Sequence, residues 1–245
     1  MSKKVISLFS GAGGFDIGIN SAGFQTAVLV ELDASCCETL RYNFPKVPLI
    51  QGDITKISTN TILTKAKLKP LDAALVIGGP PCQSFSLAGK RHGLDDDRGL
   101  LVLEFVRVVK EALPIAFIME NVKGMINWDR GRAITEIMSQ FKKPIVHNEE
   151  VYRYDVSYRV LNAADYGAPQ FRERVFIVGN RVGKRFAYPK PTHGFNNINL
   201  INGDNMKPLV TVVDAIGNLP EAEEPSDMAK RISETIKKRI VKHGY

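Results

Sequence analysis

Cys82 stands in the stretch Gly78-Gly79-Pro80-Pro81-Cys82-Gln83-Ser84-Phe85-Ser86. The thiolate is the nucleophilic form of cysteine, and an electropositive setting favours it. The two prolines restrict the chain ahead of Cys82 and remove two backbone donors. Glu120, in Glu120-Asn121-Val122, brings a carboxyl group of the kind that gives or takes a proton in general acid–base work. Arg174 closes the run Gln170-Phe171-Arg172-Glu173-Arg174 and brings a permanent positive charge, suited to stabilising charge that develops on a reacting group. Taken singly, Cys82 has a bland reading as an inert loop thiol, Glu120 as a strand-end acid that caps a helix, and Arg172 as half of a surface ion pair. Together Cys82, Glu120 and Arg174 amount to a nucleophile, an acid and an electrostatic stabiliser.

A second set of residues reads as a binding site. Ser10-Gly11-Ala12-Gly13-Gly14 follows a short apolar run. Glycine has no side chain and tolerates positive φ, so Gly11, Gly13 and Gly14 let backbone approach a ligand closely. A helix beginning there favours a negative group at its N-terminus. Glu31 closes the next apolar run and can bind ribose hydroxyls, as acids do in nucleotide folds. Asp53 can accept from an exocyclic adenine amine, and Phe9 can stack on the adenine. Leu32, Ile54, Pro81 and Leu101 complete the candidate cofactor-binding set. A glycine turn plus two acids at successive strand ends points to an adenosine-containing ligand. It does not separate NAD from S-adenosylmethionine, although the turn departs from the dinucleotide fingerprint.

The elements that position these residues follow from the hydrophobic pattern. Val5 to Phe9, Ala27 to Val30, Leu49-Ile50, Ala73 to Ile77, Ile115 to Met119 and Val175 to Val178 read as strands. Phe15 to Ala22, Ala34 to Tyr42, Leu100 to Ala112 and Ala133 to Phe141 read as helices; in the third, Leu101, Phe105, Val108 and Val109 share a face. Alternating strands and helices predict a doubly wound, mostly parallel α/β sheet. Ligands of such sheets bind outside the carboxyl ends of the strands, where Phe9 to Gly14, Glu31, Asp53, Pro80 to Cys82 and Glu120 all fall.

In order along the chain stand Leu8-Phe9-Ser10-Gly11-Ala12-Gly13-Gly14, Gly52-Asp53-Ile54, Pro80-Pro81-Cys82-Gln83, Arg98-Gly99, Glu120-Asn121-Val122 and Gln170-Phe171-Arg172-Glu173-Arg174. This succession resembles the DNA (cytosine-5) methyltransferase family from residue 4 to about residue 220. The resemblance implies a sheet of the S-adenosylmethionine-dependent methyltransferase type, S-adenosylmethionine as cofactor and no metal. It implies Cys82 as the nucleophile that adds to carbon 6 of cytosine, so that carbon 5 can take the methyl group. Covalent catalysis of this kind splits one hard step into two easier ones. Glu120 is then the acid at ring nitrogen 3, Arg174 the partner of the base carbonyl at position 2, and Asn121 a brace for the Pro-Cys loop. Arg172 and Gln170 position the loop and the nucleotide. A duplex hides carbon 6, so the base must be flipped out. Ser84, Ser86, Lys90 and Arg91, just past the nucleophile, can hold phosphates.

The chain has 245 residues, of which 44% are hydrophobic and 24% charged, the balance of an ordinary globular protein. A net charge of +7 suits a polyanionic partner, here double-stranded DNA. Cys36, Cys37 and Cys82 are too few and too irregular for a disulfide framework. Cys36 and Cys37 read as buried or half-buried thiols in a helix. No signal-peptide pattern opens the sequence, and a cytoplasmic location is the default. The character changes near residue 183, giving a catalytic unit over 1–183 and an extension or hinge over 184–245. Thr211-Val212-Val213-Asp214-Ala215-Ile216-Gly217-Asn218-Leu219-Pro220 resembles the segment that precedes the family's target-recognition region, which does not follow. The expectation is the catalytic chain of a split enzyme, with a second protein subunit supplying recognition; a fragment is the alternative. An RNA-directed cytosine methyltransferase and a non-catalytic regulatory relative are the competing functions.

Overall fold

The computed structural model describes residues 3–81, 100–195 and 206–219, with Asp227, Lys230, Arg231, Ser233 and Glu234. Cys82, Ser84, Ser86, Lys90, Arg91, Arg98 and Gly99 lie outside the described residues.

A seven-stranded sheet carries the fold. In chain order its strands are β1 (Lys4–Leu8), β2 (Gln25–Glu31), β3 (Leu49–Gln51), β4 (Leu75–Gly78), β5 (Ala116–Val122), β8 (Asp155–Asn162) and β9 (Glu173–Asn180). They lie in the order β3-β2-β1-β4-β5-β9-β8. The first five run parallel, and β9 is antiparallel to both β5 and β8. The expected mostly parallel sheet is therefore what the chain forms.

Alternate residues of the central strands feed two cores. Ile6, Leu8, Val28, Val30 and Val76 face one core, which also takes Phe105, Val108 and Val109 of α4 (Leu100–Ala112) and Ile134, Ile137 and Phe141 of α6 (Arg132–Lys142). Val5, Leu75 and Ile77 face the other, with Ile19 of α1 (Gly14–Ser21). Strands apolar on both faces are what a sheet covered on both sides needs. Phe117 stacks on Phe141, ring centroids 4.2 Å apart, and ties β5 to α6.

The helix α2 (Ala34–Asn43) starts at Asp33, whose side chain accepts from the Cys36 backbone N–H. Within it Cys37 is buried and Cys36 half-buried, as expected. The sequence reading missed α3 (Thr59–Ala66), the strand β8 and the hairpin of β6 (Ile145–His147) with β7 (Glu150–Tyr152). It also ended β5 too early: pairing with β9 extends from Ala116 to Val122, so Glu120 and Asn121 belong to the strand. α5 (Gly124–Asn127), one turn long, follows β5, and beyond β9 lie the short elements β10 (His193–Gly194), β11 (Lys207–Pro208) and α7 (Val212–Ile216). Among the described residues no helix is long and apolar enough to cross a membrane.

Candidate active site

At the carboxyl ends of β1, β2 and β4 the sheet opens into a hollow of about 410 Å³. It lies where the strand order reverses, between β1 and β4, the place where open α/β sheets bind ligands. Phe9, Gly11, Glu31, Leu32, Asp53, Ile54, Pro81 and Leu101 line it, all from the expected cofactor set. Val30, Asp33, Gly52 and Gly79 line it as well. Their signal was only adjacency to residues already singled out. Gly13 and Gly14 do not line it. A Cβ on Gly13 would meet the Phe44 ring at 2.5 Å and Leu40 at 3.0 Å, and its φ is +86°. Gly13 is thus required for the turn to pass α2, and Gly14 is the exposed first residue of α1.

Glu31 is pinned by three backbone donors. Its Oε2 accepts from Gly11 N at 2.7 Å, and its Oε1 accepts from Leu32 N at 2.8 Å and Asp33 N at 2.9 Å. The carboxylate therefore fixes the glycine turn against the end of β2. Asp53 Oδ1 accepts from the backbone and hydroxyl of Thr55, and these bonds hold its carboxyl below the usual range. Phe9, at φ +53°, takes the left-handed conformation that non-glycine residues avoid, a strain found where function over-determines geometry.

The lining decides what the sequence left open. It holds three carboxylates, Glu31, Asp33 and Asp53, and no lysine or arginine among the described residues. A dinucleotide would bring a pyrophosphate to these acids at a Coulombic cost. S-adenosylmethionine brings adenosine, a sulfonium, an ammonium and one carboxylate, a net positive charge, and the apolar walls of Phe9, Val30, Ile54 and Leu101 suit its ring. The residues present fit that cofactor.

Glu120, Asn121 and Arg174, expected to be reactive or bracing residues, lie next to this hollow. β5 buries alternate residues, with Phe117, Met119 and Asn121 inward and Ile118, Glu120 and Val122 on the more open face. Arg174 pairs in register with Val122, so Glu120 is its diagonal neighbour on the same face. Arg174 Nε reaches Glu120 Oε1 at 2.8 Å, and each side chain is 24% exposed. One residue further out, Lys123 Nζ meets Glu173 Oε1 at 2.8 Å across the same strand pair. Asn121 is 2% exposed, and its Nδ2 donates to the Pro80 carbonyl at 3.1 Å. Gly79 stands between the two sites: it lines the cofactor hollow, and a Cβ on it would lie 3.1 Å from Glu120 Oε2. Gln170 lines a separate apolar hollow of about 450 Å³ with Phe171, Phe195 and Val212. Arg172 is exposed, and its backbone N–H donates to Asn162 Oδ1.

The family model for C-5 cytosine-specific DNA methylases matches residues 3–243. The chain belongs to that family. It is a DNA (cytosine-5-)-methyltransferase chain, and S-adenosylmethionine is the methyl donor of its class. The Type II methyltransferase M.AquIA of Picosynechococcus sp. is 64% identical over 249 residues, covering 100% of both chains. M1.HphI of Haemophilus parahaemolyticus is 41% identical over 90% of this chain, which spans only 54% of that relative. Among solved structures, a prophage-encoded E. coli protein assigned as a DNA modification methyltransferase superposes with a TM-score of 0.68 at 30% identity, over 89% of this chain and 56% of that one. The DNMT2 methyltransferase of Spodoptera frugiperda shares the fold, with a TM-score of 0.55 at 20% identity over 76% of this chain and 52% of that one.

Proposed function

We propose that this methyltransferase acts on a flipped cytosine of double-stranded DNA through a covalent adduct to Cys82. The observation that carries the reading is the position of Gly79, a single glycine between the cofactor hollow and the Glu120–Arg174 pair. A base held by Glu120 and Arg174 lies within reach of a methyl group delivered from that hollow. Cys82 follows Pro80 and Pro81 directly, and the Asn121 bond to Pro80 ties its loop to β5.

The cofactor supplies an electrophilic methyl group. Cys82 Sγ adds to carbon 6 as Glu120 delivers a proton to nitrogen 3, and Arg174 holds the carbonyl at position 2. Carbon 5 then takes the methyl group as the methyl–sulfonium bond breaks, leaving a neutral thioether. A base removes the carbon-5 proton, the carbon 6–sulfur bond breaks, nitrogen 3 returns its proton to Glu120, and the thiolate is restored. Exchange of the Glu120–Arg174 ion pair for contacts to the base accompanies substrate entry. Gln170 and Arg172 hold the nucleotide from the segment ahead of β9. Residues 1–183 form the catalytic unit, 184–245 lead towards target recognition, and the enzyme works in the cytoplasm.

A second chain supplies the target-recognition region. Two observations support this part. Relatives such as M1.HphI are nearly twice as long as the matched span, whereas M.AquIA is matched from end to end. Phe171, Phe195 and Val212 are also exposed where they line the apolar hollow, a surface that suits a covering polypeptide.

Transfer of labelled methyl groups to duplex DNA and to transfer RNA tests the reading. Duplex DNA is the expected acceptor, and Glu120→Gln lowers the rate by at least about 10²-fold, the low end for loss of a general acid. Preference for transfer RNA contradicts the DNA assignment. Full sequence-specific methylation by this chain alone contradicts the second chain.

A further inference from the structure

Beneath the glycine turn lies a carboxyl group that methyl transfer does not use. Asp16, in the first turn of α1, is 0% exposed. Ser7 Oγ donates to its Oδ2 at 2.9 Å, and Thr26 Oγ1 donates to its Oδ1 at 2.9 Å. Ser7 Oγ also lies 3.0 Å from Ser10 Oγ. Ser7, Ser10 and Thr26 are all buried.

The chemistry of the groups gives this chain a direction. An ionised carboxylate only accepts. Ser7 has one hydroxyl hydrogen, and Asp16 takes it. The Ser7 oxygen is then left to accept from Ser10, whose hydroxyl also faces the carbonyls of Ser7 and Val30 at the longer distance of 3.3 Å each. Ser10 is the first residue of the turn: its N–H donates to Val30 O at 3.2 Å, and its carbonyl accepts from Gly13 N at 2.9 Å. The next residue, Gly11, donates to Glu31 Oε2 at 2.7 Å. The buried chain from Asp16 therefore ends one peptide short of the wall of the cofactor hollow. Burial raises the Asp16 carboxyl above its ordinary range, so keeping it ionised opposes folding. Groups retained against stability are characteristic of functional sites.

We propose that Asp16 is a positioning residue for S-adenosylmethionine. Acting through Ser7 and Ser10, it holds the glycine turn in the shape that presents Gly11 to Glu31 and to the cofactor. It touches no reacting atom. The proposal rests on the hollow being the cofactor site, which wild-type binding and its loss in Phe9→Ala check separately.

The test is calorimetric titration of S-adenosylmethionine into the full chain, with hydrogen exchange and thermal melting of the unliganded protein. Ser7→Ala and Asp16→Ala are expected to raise Kd about tenfold, equivalent to about 1.4 kcal/mol. Exchange at the amides of residues 10–13 is expected to quicken while that of β5 and α6 does not. Asp16→Asn still accepts through one oxygen and hydrogen-bonds Ser7 through its amide, and is expected to stay within about threefold of wild type. A Kd within twofold of wild type in folded Ser7→Ala and Asp16→Ala overturns the proposal, as does quickened exchange spread evenly over the sheet. If Asp16→Ala does not fold, Ser7→Ala, which removes one oxygen, decides the matter.

Discussion

Asn121→Ala isolates the brace on the loop that carries Cys82. Wild-type Asn121 is 2% exposed; its Nδ2 donates to Pro80 O at 3.1 Å, and its Oδ1 accepts from Val122 N at 2.8 Å. Alanine removes both bonds and leaves the carbonyl of buried Pro80 without this donor. A buried polar group that loses its partner costs about 1–3 kcal/mol. Pro80 lies two residues before Cys82, so that cost falls on the aligned state of the loop. At about 1.4 kcal/mol per factor of ten, the methyl-transfer step slows roughly 5- to 150-fold. The cofactor hollow loses no lining side chain, so the Kd for S-adenosylmethionine is expected to stay within about threefold, a change of under 1 kcal/mol. Single-turnover transfer with preloaded cofactor reads the chemical step, and calorimetry reads the binding. Asn121→Asp keeps the shape but sets an acceptor against the Pro80 carbonyl, and is expected to be at least as slow. A single-turnover rate within twofold of wild type in folded Asn121→Ala refutes the bracing argument. So does a loss explained wholly by weaker cofactor binding.

Other expectations follow from the same geometry. Glu31→Gln sets an amide against at least one of three backbone donors. With charge-assisted bonds near 1.5–3 kcal/mol, calorimetry is expected to show a Kd for S-adenosylmethionine raised about 10- to 100-fold; an unchanged Kd contradicts the role given to Glu31. Gly78→Ala places a Cβ 2.5 Å from the Leu8 carbonyl, and is expected to lose about 1–3 kcal/mol of stability through overpacking, read as a lower denaturant midpoint. The raised carboxyl of Asp16 gives stability present below the ordinary aspartate value of 3.8 and lost as pH rises through its higher folded value. Asp16→Asn is therefore expected to flatten the decline in denaturant midpoint between those two values, and an unchanged slope contradicts the burial argument.

The sequence showed the parts of the fold whose signal is local. α4 came out at its observed bounds because Phe105, Val108 and Val109 repeat at helical spacing. β1, β2 and β4 came out because their apolar runs end in glycines or acids. The edge strand β8 did not: Asp155, Ser157 and Arg159 interrupt it, and it is fixed by pairing with β9. The same pairing carries β5 through Glu120 and Asn121, which local propensity ends earlier. In the site, acids and glycines were legible as types, but their work was not. Gly13 was legible as a glycine of the turn, but not its clearance of Phe44, a residue of the next helix–strand connection. Asp16 gave no signal in the sequence, because its partners Ser7 and Thr26 lie on other elements. The preference for a cationic cofactor emerged once three acids from separate segments shared one hollow.

The central claim is covalent attack by Cys82, and trapping on DNA containing 5-fluorocytosine tests it most directly. Fluorine at carbon 5 cannot leave as a proton does, so the adduct accumulates after methyl transfer. DNA at about 10⁻⁴ M reaches the non-specific binding range and loads the chain whatever its target sequence. The expected adduct survives denaturation, requires S-adenosylmethionine, maps to Cys82 by peptide mass and is absent from Cys82→Ser. Methylation of ordinary cytosine DNA under the same conditions, with no adduct on the fluorinated DNA or with an adduct at another residue, contradicts it.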